Sequence, residues 1–332
     1  MATDNDDNGP WFLYQPDEQV QDKSVVRVQV HDLVRWIPDR AFGDCLLLKE
    51  IKIPASVVWI GPYAFHDCES LETIDIQDSS LECICEGAFS GCAALTKIKL
   101  PTSVIRIEVG AFAWCYSLQS IHLPDSVTSI GINVFNHCSE LRTVELPNGI
   151  TSIPSGTFTC CLSLTKVRLP ASAGSIEDQA FTGCEALTEI ELPNSVTSIG
   201  HGAFSHCHSL RRIGVPNSVV EIGHNAFFNC RSLATGCLPK NPNLTIGHNV
   251  FYGCDSLTKI ELPRMALAVW PRCLEQFKGY GFFARIGLSE VGKKTCMFSF
   301  LLRHAPQLFE DRRHPAVIVQ GRGRMRQHEQ EN

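Results

Sequence analysis

The chain has 332 residues, 44% of them hydrophobic and 19% charged, with a formal net charge of −6. This is the composition of a folded globular protein and lacks the concentrated basic face of a nucleic-acid binder. The opening MATDNDDNGPWF has three aspartates, no Lys or Arg and no apolar run after it, and no window nears the roughly 18 apolar residues of a membrane helix. No signal peptide or transmembrane segment is read, so a cytoplasmic protein without membrane contact is expected.

Residues 1–24 are expected to form a partly disordered N-terminal segment. From Val25 the chain repeats. Val25, Val28, Val30, Val34 and Ile37 precede Phe42 at the distances at which Leu48, Ile51, Ile53, Val57 and Ile60 precede Phe65. A half-coil therefore opens a stack predicted to span residues 25–263. Phenylalanine recurs at Phe42, Phe65, Phe89, Phe112, Phe135, Phe158, Phe181, Phe204, Phe227 and Phe251, at steps of 23 residues with two steps of 24. A cysteine follows each by three residues, Cys45 to Cys254, and a leucine three residues later, Leu48 to Leu257. Ten of the 16 cysteines are thus one repeated position, which argues against an oxidised secreted framework.

The unit is clearest in AFTGCEALTEIELPNSVTSIG, residues 180–200. Leu187, Ile190 and Leu192 give the period-two alternation of a short strand with one buried face. Pro193 ends strand pairing for want of an amide hydrogen, Asn194 and Ser195 turn the chain, and Val196 and Ile199 form a second inward pair. Ala180 and Phe181 supply the opposite wall. One coil leaves its top and bottom apolar, whereas stacked coils share a continuous core. Each buried Phe or Leu contributes roughly 1.5–3 kcal/mol.

Two coils depart from the pattern. In IQDSSLECICEGAF one residue is gained, Gln77 stands where Pro is usual, and Cys83 and Cys85 appear; in SLATGCLPKNPNLTIGHNVF, Gly236 replaces an inward Ile. Irregular coils are where a bulge, a bend in the stack or a binding loop would sit, and drift in a tolerant surface turn is the simpler reading of both. Beyond Pro263, RMALAVWPRCLEQF and TCMFSFLLRHAPQLFE read as short amphipathic helices, a helical cap over 264–310. Residues 311–332, ending QGRGRMRQHEQEN, read as a disordered polar tail.

The unit AFxxCxxLxxIxLPxSVTSIG, repeated ten times between residues 25 and 263, resembles the BspA-type leucine-rich repeat. The resemblance implies an α/β repeat: a right-handed leucine-rich-repeat solenoid with a short-stranded parallel sheet, here with a helical C-terminal cap. It also implies a binding role. Bacterial adhesins of that family bind host proteins, but the leader and anchor of an adhesin are not found here, so adhesion is not carried over.

GAFSHCHSL, residues 202–210, sets His206 and His208 about Cys207 and so invites a metal or catalytic reading. Cys207 is the repeat cysteine, and its flanking positions hold Asp67 and Glu69, Gly91 and Ala93, or His137 and Ser139 in other coils. They read as solvated flanks, without the C-x₂₋₄-C or H-x₃₋₅-H spacing of structural zinc. The repeat cysteines are expected to be mostly free thiols packed as small apolar groups. No row offers a nucleophile, base and orienting acid in one pocket, and no phosphate-binding or HExxH motif occurs. No enzyme activity, metal or cofactor is predicted.

The variable row is the outward face of the strand. Between the buried positions lie Lys52, Asp75, Lys99, His122, Glu145, Arg168 and Glu191, and two residues earlier lie Lys97, Lys166, Glu189 and Arg212. A row free to vary on a rigid scaffold is how repeat proteins read a partner. These residues are the candidate partner-binding site of a noncatalytic scaffold, a monomer or weak homodimer, for a protein partner and not nucleic acid. A secreted or cell-surface adhesin-like protein is one alternative, and a cysteine-based redox or metal-binding protein another.

Overall fold

The computed structural model describes residues 10–16, 20–78, 80–241 and 243–261. The segments expected to form a helical cap (264–310) and a polar tail (311–332) lie outside them. Among the described residues no helix is long and apolar enough to cross a membrane.

The chain winds into a solenoid of parallel strands, and each coil carries two ladders where one sheet was expected. In the longer ladder, Trp11–Tyr14, Arg27–Val30, Glu50–Ile53 and Thr73–Ile76 form one four-stranded sheet. Lys97–Lys99, Ser120–His122, Thr143–Glu145 and Lys166–Arg168 form a second, and Glu189–Glu191, Arg212–Gly214, Thr235–Cys237 and Lys259–Glu261 a third. Alternation places Ile98 inside and Lys97 and Lys99 outside, and likewise in the other coils. The second ladder has two residues per coil, running from Trp36–Ile37 to Ser129–Ile130 and from Ser175–Ile176 to Thr245–Ile246, with an isolated bridge from Ile153 to Ile176. The inward Ile after the proline turn builds it by pairing with the neighbouring coils, whereas the inward Val closes the turn within its own coil, as Val196 N does onto the Pro193 carbonyl at 3.1 Å.

Among the described residues the third side of each coil is built of turns and carries no helix. Between the second ladder and the repeat cysteine, alternate amides aim along the stack. Arg40, Phe42 and Asp44 donate to the carbonyls of Pro62, Ala64 and His66 at 3.0, 2.8 and 2.8 Å, while Ala41, Gly43 and Cys45 close turns onto Pro38, Arg40 and Phe42. Such an alternation needs residues in the left-handed region. Two columns adopt it: the residue two before each Phe and the residue before each repeat Cys, including Asp67 (φ 55°), His137 (φ 61°) and His206 (φ 60°), with Gly91 and Gly183 at 77° and 73°. Glycine enters this region without strain, and Asn, Asp and His enter it more readily than most side chains.

The core is a column of phenylalanines. Neighbouring rings from Phe42 to Phe251 stack at centroid separations of 5.1 to 5.9 Å and interplanar angles of 1° to 18°. Tyr14 covers the first ring at 4.9 Å, tilted by 57°. The parallel stack thus starts one strand before Val25, inside the segment expected to be partly disordered. Polar columns tie the coils together as well: Ser126 and Ser195 Oγ donate to the Val104 and Ala173 carbonyls at 2.6 Å. The PxSV serine is therefore more than a turn residue.

Candidate functional site

The long ladder sets the candidate binding residues in register. Asp75, Lys97, Lys99, His122, Glu145, Lys166, Arg168, Glu189, Glu191 and Arg212 are exposed, and Lys52 is half-buried. Parallel pairing places Lys52 beside Asp75, Lys99 beside His122, Glu145 beside Arg168 and Glu189 beside Arg212.

Several of these charges are spent on one another. Arg168 pairs with Glu145, Arg212 reaches Glu189 at 2.8 Å, and Arg27 reaches Glu50 at 3.1 Å. Arg27 and Lys52 also cap the Trp11 ring, at 4.2 and 4.3 Å. Among the described residues Lys97, Lys99 and Lys166 have no such partner. The central sheet therefore exposes four cations against one carboxylate, Glu145, and His122 lies among them. The row reads as variable in sequence; folded, it resolves into compensated ends and a basic middle.

His206 and His208 are half-buried, not solvated. His208 Nδ1 lies 3.6 Å from Glu185 Oε1, its Nε2 is a buried nitrogen without a partner, and His206 packs edge-on to it at 5.7 Å. His206 also meets Phe228 at 5.5 Å. The left-handed backbone folds these flanks back against the neighbouring coil. They do not converge on one point, because Cys207 between them points into the core and donates to the Phe181 carbonyl at 3.2 Å.

That sulfur contact recurs. From Cys68 to Cys254 each repeat thiol donates to the phenylalanine carbonyl of the preceding coil at 3.1 to 3.3 Å. Burial pushes Cys115 up to about 12 and holds Cys92, Cys138 and Cys184 well above the usual thiol value.

A different thiol environment occurs in the lengthened coil, where the sequence favoured surface drift over a bulge, a bend or a binding loop. Cys83 and Cys85 share one face, with sulfurs 3.6 Å apart, and Glu108 Oε1 of the next coil lies 3.5 Å from Cys83 Sγ. Both cysteines are buried. The Trp59 indole donates to Cys85 Sγ, and Arg106 is the parallel neighbour of Cys83. The Cys85 contact, helped by Arg106, holds the Cys83 thiol below its usual value despite burial, while Cys83 and burial push Cys85 up. Cys85 and Glu108 occupy a column that holds Gly61, Gly131, Gly200, Gly223 and Gly247 in five other coils. A Cβ at Gly131 would lie 2.6 Å from the Glu108 carbonyl carbon, and one at Gly223 would lie 2.6 Å from His201 N. The CxC spacing was the available signal; Glu108 and Trp59 are legible only in three dimensions.

A second side-chain column was also missed. His201, His224 and His248 stack at 5.0 and 4.8 Å, and the amides of His224 and His248 donate to the Nδ1 of the preceding imidazole at 3.0 and 2.6 Å. Asp178 starts the column by accepting from His201 N at 2.6 Å. The column ties coil to coil as the serine column does.

The BspA type leucine-rich repeat region model matches six times, over residues 35–161, 106–234 and 151–276. The crystal structure of a leucine-rich repeat protein from Bacteroides ovatus is similar, with 31% identity, a TM-score of 0.57 and 75% of each chain covered. One from Eubacterium ventriosum shares the fold at 22% identity and a TM-score of 0.52, over 71% of this chain and 78% of that one. No curated protein matches the chain.

Proposed function

The chain belongs to the BspA-type leucine-rich repeat family, and from that premise we propose that it is a noncatalytic protein-binding scaffold whose central long-strand face docks an acidic surface of a protein partner. One observation carries the reading: Lys97 and Lys99 at one edge of the central sheet and Lys166 at the other stand exposed and unpaired, while Arg27 and Arg212 in the flanking sheets, and Arg168 beside Lys166, are matched by Glu50, Glu189 and Glu145 across the rungs. A preformed sheet loses little backbone freedom on binding, and its cations steer an oppositely charged partner toward the face.

Affinity purification with the full chain and with K97E/K99E/K166E tests this. The expected result is a protein retained by the wild-type bait, lost with the reversed bait, and bound by the purified chain with an affinity that falls as salt rises. Equal retention by both baits places binding elsewhere on the solenoid.

A further inference from the structure

The Cys83, Cys85 and Glu108 cluster has the dimensions of a metal site. Tetrahedral zinc, with Zn–S of about 2.3 Å and Zn–O of about 2.0 Å, separates two ligand sulfurs by about 3.8 Å and a sulfur from a carboxylate oxygen by about 3.5 Å. The two separations here are 3.6 and 3.5 Å, and all three ligand atoms lie within 4.8 Å of one another. The ligands come from two adjacent coils, so the cluster is held by the stack and not by a flexible loop.

The surroundings match the ligand set. Trp59 Nε1 donates to Cys85 Sγ, and Arg106 sits beside Cys83. Donors directed at sulfur are the outer contacts that orient metal thiolates and temper their charge. Two thiolates and a carboxylate against a divalent cation leave one negative charge, which Arg106 offsets. The repeat cysteines differ: each is engaged with a backbone carbonyl in an apolar column.

We propose that Cys83, Cys85 and Glu108 form a binding site for a thiophilic d¹⁰ divalent cation, Zn²⁺ or Cd²⁺, clamping the lengthened coil to the next one. Binding releases the thiol protons to solvent as the two metal–sulfur bonds form, and no oxidant or reductant is involved. Three protein ligands leave the fourth position to water.

The test is titration of the fully reduced, metal-free full chain with Cd²⁺, read by thiolate-to-metal charge-transfer absorbance. The wild-type protein should saturate this band at one equivalent, C83S/C85S should lose it, and E108Q should bind at least tenfold more weakly. C138A, altered in the repeat column, should titrate as wild type. Circular dichroism confirms that each variant is folded, and E108Q, which keeps both sulfurs, reports on the site even if the double variant is unstable. No band at one equivalent in the wild-type protein overturns the proposal, as does a band that survives in folded C83S/C85S or is unmoved in E108Q.

Discussion

Cys138 Sγ donates to the carbonyl of Phe112, one coil back, at 3.2 Å. Both residues are fully buried, and the contact explains why the position holds cysteine: the thiol fills a small apolar space while satisfying an acceptor. Cys138→Ala should lower stability by about 1–2 kcal/mol, combining a small cavity with the loss of one of the two donors on the Phe112 carbonyl, which keeps the amide of Cys115. Urea unfolding followed by circular dichroism measures it, and an unchanged midpoint would remove the sulfur contact from the energetics.

The thiols should divide into two classes. Burial raises Cys92, Cys115, Cys138 and Cys184, whereas Cys83 is held below the usual value. Since thiolate is the nucleophile, iodoacetamide at mildly alkaline pH should label Cys83 in the metal-free native protein before those four, which react only on unfolding. Peptide mass spectrometry reads the order; simultaneous labelling would contradict it.

Two neighbouring residues separate surface charge from core. Arg212 is exposed and paired with Glu189, and Ile213 beside it is 3% exposed. Arg212→Ala should cost under about 1 kcal/mol, as exposed pairs do. Ile213→Ala should cost about 2–5 kcal/mol. Thermal melts of the two variants should be clearly separated, and a larger effect at Arg212 would reverse the assignment.

Two glycines should respond oppositely to alanine. A Cβ at Gly214 meets nothing within 4 Å, while one at Gly223 would lie 2.6 Å from the backbone of Gly200 and His201. Gly214→Ala should be neutral or stabilising by up to about 1 kcal/mol. Gly223→Ala should cost about 1–3 kcal/mol, because rigid backbone must move. Denaturant midpoints decide it, and equal midpoints would mean that coil spacing is looser than the structure has it.

The repeat was legible because burial in a stack is a property of each position separately. Phe42 to Phe251, Cys45 to Cys254 and the inward Val and Ile show in the period alone, and all of the first two columns are buried. The family followed from the same residues. The non-helical third side was not legible, because left-handed residues such as His137 and Gly183 share no residue type; they share a direction for the amide.

By itself, then, the sequence determined the coil length, the inward set, the outward row and the family. Tertiary structure alone decided which outward charges cancel, why His206 and His208 fold back against a neighbouring coil, and that Glu108 meets Cys83 and Cys85. The reason is physical. Periodicity records whether a residue is inside or outside, but an ion pair or a ligand cluster depends on side chains of coils some 23 residues apart, whose meeting is set by how the stack turns from one coil to the next.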